Sequence, residues 1–335
     1  MPKTQFSVSA PLRASFFGGG SDIPAFYRQE RGRVLSTTLE QSVYVSITHS
    51  ANGLYAADVP GAVPSRSIKA FPDPLIRECL STFDAPPVTI KIASDVPFGT
   101  GLGSSAALVV ALLKALSELT GHPNSPMAIA EMACRLEILN LGRPVGKQDQ
   151  YASAIEGLNV FTFEPDDLVT VEPVYLTAQA LDNLRSYLLF VRVPGTRDAG
   201  NVLAEVSHTL ESRRGLIREL ADMVDVAHDI LVRSDLMSFG KLMHEGWLLK
   251  SAISPVISNE SINSMYERAR RCGALGGKLL GAGGSGYLLL VAPPEMHEVI
   301  LRGLGTRAEA LSLRTRHLFE RNDAGRKALI EDHVI

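Results

Sequence analysis

The stretch Pro97-Phe98-Gly99-Thr100-Gly101-Leu102-Gly103-Ser104-Ser105-Ala106-Ala107 joins two runs of different periodicity. Ahead of it, Val88-Thr89-Ile90-Lys91-Ile92 alternates in the manner of a half-buried strand. Behind it, a strongly apolar run predicts a helix over about 104–119. Glycines at every second position strip the loop of side chains and let its backbone approach a ligand. Ser104 and Ser105 stand where free N–H groups and the helix dipole attract an anion, and Ala106 and Ala107 keep the first turn uncluttered. The segment is not a Walker A loop. No G-x-x-x-x-G-K-[ST] occurs in the chain, and Gly276-Gly277-Lys278-Leu279 lacks both the first glycine and the hydroxyl residue.

Outward from this loop, the first fifty residues read as strands, with β-branched and aromatic residues dense at 33–39 and 43–47. A segment with Gly and several prolines, 60–74, reads as a loop or an edge. Ser125-Pro126 predicts a helix start, running to about Leu141 with Gly142 as its stop. A strand is expected at 157–163. The turn Glu164-Pro165-Asp166-Asp167 is the expected boundary between an N-terminal domain, 1–165, and a C-terminal domain, 166–335. Beyond it come a strand at 187–193, helices near 200–232, 236–251 and 259–272, a Gly-rich turn, a strand at 287–291, and then helix, strand and tail. Strands and helices do not alternate as a doubly wound sheet requires, so the fold class is α+β in two halves.

Two further stretches are rich in glycine: Pro11-Leu12-Arg13-Ala14-Ser15-Phe16-Phe17-Gly18-Gly19-Gly20-Ser21-Asp22 and Lys278-Leu279-Leu280-Gly281-Ala282-Gly283-Gly284-Ser285-Gly286-Tyr287. The second satisfies G-x-G-x-x-G but runs into a strand instead of opening a helix, which argues against a dinucleotide-binding oxidoreductase. In order and separation the three stretches resemble the three motifs of the GHMP kinases, and the resemblance spans nearly the whole chain. It implies a two-domain fold with the active site in the cleft between the domains, and the cofactors ATP and Mg²⁺. The loop Gly99, Gly101, Leu102, Gly103, Ser104, Ser105 and Ala106 is implied to wrap the ATP phosphates, with Ser105 helping to hold Mg²⁺.

Three charged residues carry the expected chemistry. Glu137 shares a helical stripe with the small or apolar Ala130, Ala133, Cys134 and Leu141. A carboxylate there needs a partner, and magnesium, which takes hard oxygen ligands, is one. The resemblance implies the same role. Asp149, in Gly146-Lys147-Gln148-Asp149-Gln150, reads on its own as a turn former or cap. The resemblance implies that it is the catalytic base taking the proton of the attacking hydroxyl. Arg13 matches the basic residue of the first motif, and its fixed cation would stabilise negative charge at the site.

The acceptor is read from the first motif. Many relatives carry Gly-Glu-His before the aspartate, whereas this chain has Gly18-Gly19-Gly20-Ser21-Asp22. That version resembles the D-glycero-D-manno-heptose 7-phosphate kinases, as do Gln148-Asp149-Gln150-Tyr151-Ala152 and Thr196-Arg197-Asp198-Ala199. The resemblance implies phosphorylation at O1 to the 1,7-bisphosphate, for nucleotide-activated heptoses of capsule, S-layer glycan or lipopolysaccharide. Asp22 would accept hydrogen bonds from sugar hydroxyls beside Gly19, Gly20 and Ser21, with Gly283 and Gly284 on the facing turn. A substrate phosphate needs fixed cations: Arg197 first, then Lys278, then Lys147. The alternatives are a kinase for a neutral sugar such as fucose, and a GHMP-fold ligand sensor without catalysis.

Composition bounds these readings. With 33 Lys and Arg against 36 Asp and Glu, the net charge of −3 offers no broad basic field for nucleic acid or anionic lipid. Cys79, Cys134 and Cys272 lack zinc-type spacing and suggest no disulfide framework. The first residues have no signal-peptide pattern, and the apolar run 106–113 is too short for a membrane helix, so a cytoplasmic enzyme is expected. Association into a homo-oligomer stays open, with Trp247 readable as core or subunit contact.

Overall fold

Ala10, Leu12, Ala14 and Phe16 are all nearly inaccessible on one strand, β1 (Gln5–Phe17), which seeds the larger core. The computed structural model describes residues 5–194, 199–309 and 311–314, with the backbone alone over 199–211. After β1 a single helical turn, α1 (Pro24–Tyr27), precedes the long β2 (Gly32–His49). β1 and β2 pair antiparallel from Gln5–Thr48 to Phe17–Leu35, with register shifts at Pro11/Arg13 and Ser15/Phe17. Such irregularities re-aim side chains; these two flank Arg13 and Ser15.

β3 (Ala56–Ala57), α2 (Pro74–Thr82) and β4 (Val88–Ser94) come next. α3 (Ser104–Leu119) then buries Ala106, Ala107 and nearly every residue from Val109 to Leu116 against the sheet. Each fully buried Val or Leu contributes on the order of 1.5–3 kcal/mol. α4 (Pro126–Cys134) begins at a Ser125 cap that accepts from the Ala128 N–H. α5 (Gln148–Ile155), β5 (Asn159–Phe163) and β6 (Val169–Pro173) complete the first half. β1 runs along one edge of β2, and β4 and β5 share the other, giving the order β3-β4-β2-β5-β6 with β1 alongside β2.

Two sequence expectations change here. The helix expected from Ser125 to Leu141 is not uniformly α: at Arg135–Asn140 it widens into a π turn, with the Leu141 N–H reaching the Leu136 carbonyl at 3.0 Å. The turn at 164–167 joins β5 to β6 as an antiparallel hairpin, so the first sheet continues past the expected boundary to Pro173.

The second half comprises α6 (Ala178–Tyr187), β7 (Leu188–Val193), α7 (Ala199–Val232), α8 (Leu236–Ile253), α9 (Glu260–Arg271), β8 (Gly276–Leu279), β9 (Gly286–Val291) and α10 (His297–Leu304). Its antiparallel sheet runs β7-β9-β8 over a second core built on Leu189, Val191, Ile262, Tyr266 and Leu288. Trp247 lies in that core, 2% exposed with its ring centroid 6.0 Å from that of Tyr266, which settles it as core. The halves also share packing: Phe239 of α8 meets Phe16 and Phe17 edge-on, each at 5.5 Å between centroids. Among the described residues no helix is long and apolar enough to cross a membrane.

Candidate active site

Where the halves meet there is a cavity of about 470 Å³. One wall comes from the first half: Arg13, Gly19, Asp22, the glycine loop, Glu137, 143–146 and 148–150. The other comes from Ile217 of α7, Lys250 and Ile253 of α8, Lys278 of β8 and the turn after it.

Arg13 and Asp149 form the centre of the first wall. Arg13 Nε donates to Oδ1 and Nη2 to Oδ2, both at 2.7 Å, a two-pronged pair of the strongest geometry open to these groups. The remaining Nη1 donates to the Gly101 carbonyl at 2.6 Å. The pair lies against the end of the glycine loop: a Cβ on Gly103 would stand 3.2 Å from Arg13 Cγ and 3.4 Å from Asp149 Oδ2. Gly103 occupies the N-cap of α3 and supplies no side-chain acceptor to the first-turn N–H groups. Those donors face the same cavity, which Ser104, Ser105 and Ala106 also line. Leu102 does not line it; it is wholly buried, and its carbonyl accepts from the Arg13 N–H at 3.0 Å.

The glycines have a second use that the sequence reading missed. Gly101 has φ +82°, and a Cβ there would overlap the Leu280 carbonyl. A Cβ on Gly281 would sit 2.5 Å from Gly101 Cα, and one on Gly286 would overlap the Thr100 carbonyl. The loop before α3 and the β8–β9 turn therefore pack backbone against backbone across the two halves. Gly283 and Gly284 are engaged likewise against Ile257, whose carbonyl accepts from the Gly284 N–H at 3.0 Å, and neither lines the cavity.

Glu137 sits in the π turn, 2% exposed. Its Oε2 accepts from Gln150 Nε2 at 2.7 Å and its Oε1 from Arg143 Nη1 at 2.9 Å. The same Nη1 lies 3.2 Å from Ser105 Oγ. Burial raises the Glu137 pKa, against the opposing pull of Gln150 and Arg143. A hydroxyl and a carboxylate oxygen thus converge on one cationic nitrogen. That donor set suits magnesium, which is bound through one or two protein oxygens plus substrate phosphates. Among the described residues no three of His, Cys, Asp and Glu gather into an all-protein metal cage. Nothing in the sequence reading pointed to Arg143.

Asp22, which also lines the cavity, is 2% exposed and accepts from the Gly20 N–H at 3.0 Å, the Gln148 N–H at 3.1 Å and Gln148 Nε2 at 3.2 Å. Burial raises its pKa although the backbone donors pull the other way. Gly146 is needed beside it, since a Cβ would overlap the carboxylate. Gly19 and Gly20 line the cavity. Ser21 does not: it is inaccessible, and its hydroxyl engages the Gly18 and Arg33 carbonyls and the Arg33 N–H, tying the loop to β2. Among the described residues, three buried polar atoms of cavity-lining side chains have no hydrogen-bond partner: Ser15 Oγ, Gln148 Oε1 and Gln150 Oε1.

Of the expected phosphate cations, Lys278 reaches the cavity, with Nζ donating to the Phe16 carbonyl at 2.9 Å. Burial, then Lys250 and Arg13, push its pKa well below the ordinary range. Lys147 points elsewhere: its Nζ is held by Asp167 Oδ1 at 2.9 Å and lies 4.5 Å over the Tyr27 ring, because the β5–β6 turn supplies a carboxylate there. Arg197 lies outside the described residues. Lys250, which the sequence reading passed over, lines the cavity and donates to the Leu279 carbonyl at 3.0 Å and the Gly281 carbonyl at 2.6 Å. Desolvation brings its pKa down to about 7, with Arg13 acting the same way.

Comparison with known proteins agrees with this geometry. The family models for the GHMP kinases N terminal domain and GHMP kinases C terminal match residues 70–157 and 227–302. The D-glycero-alpha-D-manno-heptose 7-phosphate kinase of Campylobacter jejuni is 27% identical over 324 residues, taking in 89% of this chain and 92% of that one. The bifunctional fucokinase/GDP-fucose pyrophosphorylase of Arabidopsis thaliana is 28% identical over 313 residues, which are 85% of this chain and 30% of the plant protein. A crystal structure of a D-glycero-D-manno-heptose 1-phosphate kinase from Bacteriodes thetaiotaomicron shares the fold with TM-score 0.73 at 24% identity, over 92% of this chain and 96% of that one. The matched domains, the shared fold and the cleft between the halves lead to one conclusion: the chain belongs to the GHMP kinases, ATP-dependent phosphotransferases with an alcohol group as acceptor.

Proposed function

We propose that this enzyme transfers the γ-phosphoryl group of Mg·ATP to O1 of D-glycero-D-manno-heptose 7-phosphate, giving the 1,7-bisphosphate in the cytoplasm. The observation that carries the acceptor reading is the set of unpartnered buried atoms. Gln148 Oε1 and Gln150 Oε1 are pure acceptors, and they stand in the same cavity as Asp22 and Ser15. Buried acceptors of this kind call for O–H donors, and a polyhydroxylated sugar brings several at once. The Campylobacter jejuni relative, matched along nearly its whole length, supports the heptose phosphate within that class.

In this reading Asp149 receives the proton of the attacking hydroxyl on a lone pair that Arg13 leaves free. Arg13 stabilises the charge that develops on the transferred group. Ser105 and Glu137 hold Mg²⁺, which when bound neutralises charge on the phosphate oxygens. The loop 99–106 and the start of α3 hold the ATP phosphates, while Lys278 and Lys250 stand on the facing wall, where an arriving phosphate favours their protonated forms. Little covalent chemistry is asked of the protein, since positioning and electrostatics carry most of a phosphoryl transfer.

The test is ADP release with heptose 7-phosphate, mannose, fucose, galactose and mevalonate, each with Mg·ATP. Turnover confined to the heptose phosphate is the expected result. Turnover with fucose alone, the activity named in the plant relative, would overturn the phosphate part of the reading and leave a neutral-sugar kinase. Silence across the panel with intact ATP binding would overturn both, in favour of an acceptor outside the panel or of a ligand sensor.

A further inference from the structure

Arg143 Nη1 sits 3.2 Å from Ser105 Oγ and 2.9 Å from Glu137 Oε1, the two oxygens assigned above to the metal. We propose that Arg143 is a resident stand-in for the divalent cation, holding Ser105 and Glu137 in ligating position before nucleotide binds and barring a free metal ion from them. The inference rests on the assignment of those two residues to Mg²⁺.

Glu137 is inaccessible, and its second partner, Gln150 Nε2, is neutral. Arg143 therefore supplies the positive charge that a buried carboxylate requires. Its side chain is 33% exposed at the cavity rim, so it can leave without disturbing the core. Its backbone is fixed meanwhile: the Arg143 N–H donates to the Glu137 carbonyl and its carbonyl accepts from the Val145 N–H, both at 2.9 Å. Magnesium binds oxygen at about 2.0–2.1 Å. An ion on both oxygens would occupy the ground where Nη1 now stands, so the two cations exclude each other. A free divalent ion must displace the guanidinium unaided, whereas one arriving on ATP brings phosphates that can take up the displaced arginine inside the same cavity. Metal entry is thereby coupled to nucleotide entry, and Arg143 is a positioning residue.

Mn²⁺ provides the probe, its binding followed by loss of the free-ion EPR signal, with and without the non-hydrolysed analogue AMP-PNP. Without nucleotide, Arg143→Gln is expected to bind Mn²⁺ at least about tenfold more tightly than the wild type, within the usual range for changes beside a metal site. Arg143→Lys, which keeps the charge, is expected to stay near wild type, and Glu137→Gln added to Arg143→Gln is expected to abolish the gain. Unchanged nucleotide-free affinity in Arg143→Gln would overturn the proposal, provided that Glu137→Gln still weakens Mn²⁺ binding in the AMP-PNP complex. Loss of that last effect would instead overturn the metal assignment itself, and the proposal with it. A measurement without variants is the crystal structure of the wild type with Mg·AMP-PNP. Nη1 displaced from both oxygens is expected; Nη1 still bridging them with the metal bound would overturn the proposal.

Discussion

Arg13 grips both carboxylate oxygens of Asp149 at 2.7 Å while its third nitrogen holds the Gly101 carbonyl, so one guanidinium ties the proposed base to the proposed phosphate loop. Asp149→Ala is expected to lower kcat by about 10²–10⁴-fold, the usual contribution of a positioned base. Arg13→Gln is expected to cost about 10²–10³-fold, as for loss of a donor aimed at developing charge. Steady-state kinetics with ATP and acceptor varied separately check both. A loss appearing only in the acceptor KM would assign Asp149 to binding alone.

Lys250 gives the fold a pH signature. Its pKa falls from 10.5 to about 7, through desolvation and then Arg13, with Asp149 opposing. Between those values the unfolded chain carries a proton that the folded chain has released. Stability therefore rises with pH from about 7 to 10.5 on this account and is flat below and above. Lys278, also depressed, adds a slope of the same sign. Thermal melts of the ligand-free enzyme across pH 6.5–9.5 are expected to show a shallower rise in Lys250→Met than in wild type. Identical slopes would mean that Lys250 does not titrate there.

Gly99 and Gly101 make a paired test of the interlocked loops. Both have positive φ, +79° and +82°, so alanine at either site incurs left-handed strain of roughly 1–2 kcal/mol. Nothing lies within 4 Å of a Cβ at Gly99, whereas at Gly101 it would overlap the Leu280 carbonyl. Gly101→Ala is expected to melt several degrees below Gly99→Ala and to weaken ATP binding further. Calorimetric melts and nucleotide titrations check this, and equal effects would mean that the backbone packing contributes little.

Lys147 is expected to matter to the fold and not to the acceptor. With Asp167 and Tyr27 it clasps the β5–β6 turn to α1, Tyr27 Oη donating to Asp167 Oδ1 at 2.5 Å. Lys147→Met is expected to cost about 1–3 kcal/mol of stability, as for hydrogen bonds to charged groups. The KM for a phosphorylated acceptor is expected to stay unchanged, and a large rise would return Lys147 to the binding site.

The three glycine-rich stretches and the apolar runs between them were enough to read the order of elements, because each is decided locally by periodicity, capping or turn chemistry. The long helices expected near 200–232 and 236–251 appear at Ala199–Val232 and Leu236–Ile253. What escaped is non-local. The π turn under Glu137 adds a residue to a helical turn where 125–141 reads as ordinary helix, and such turns are frequent at functional sites. Arg143 and Lys250 act through long side chains that meet partners 38 and 29 residues away, at Ser105 and Leu279. Ser21 looks like a ligand contact in the motif, yet its hydroxyl is taken by the backbone of β2, a partner visible only once the strands are paired.

The contact of Gly101 with Leu280 and Gly281 has a mechanical consequence. Two loops from opposite halves meet there with no side chain between them, so no flexible layer exists to shear. Like the spine of a book, this line keeps its separation while the covers turn. Any widening of the cleft for entry and exit of ligands has to leave this backbone contact in place, so the loop assigned to ATP moves least.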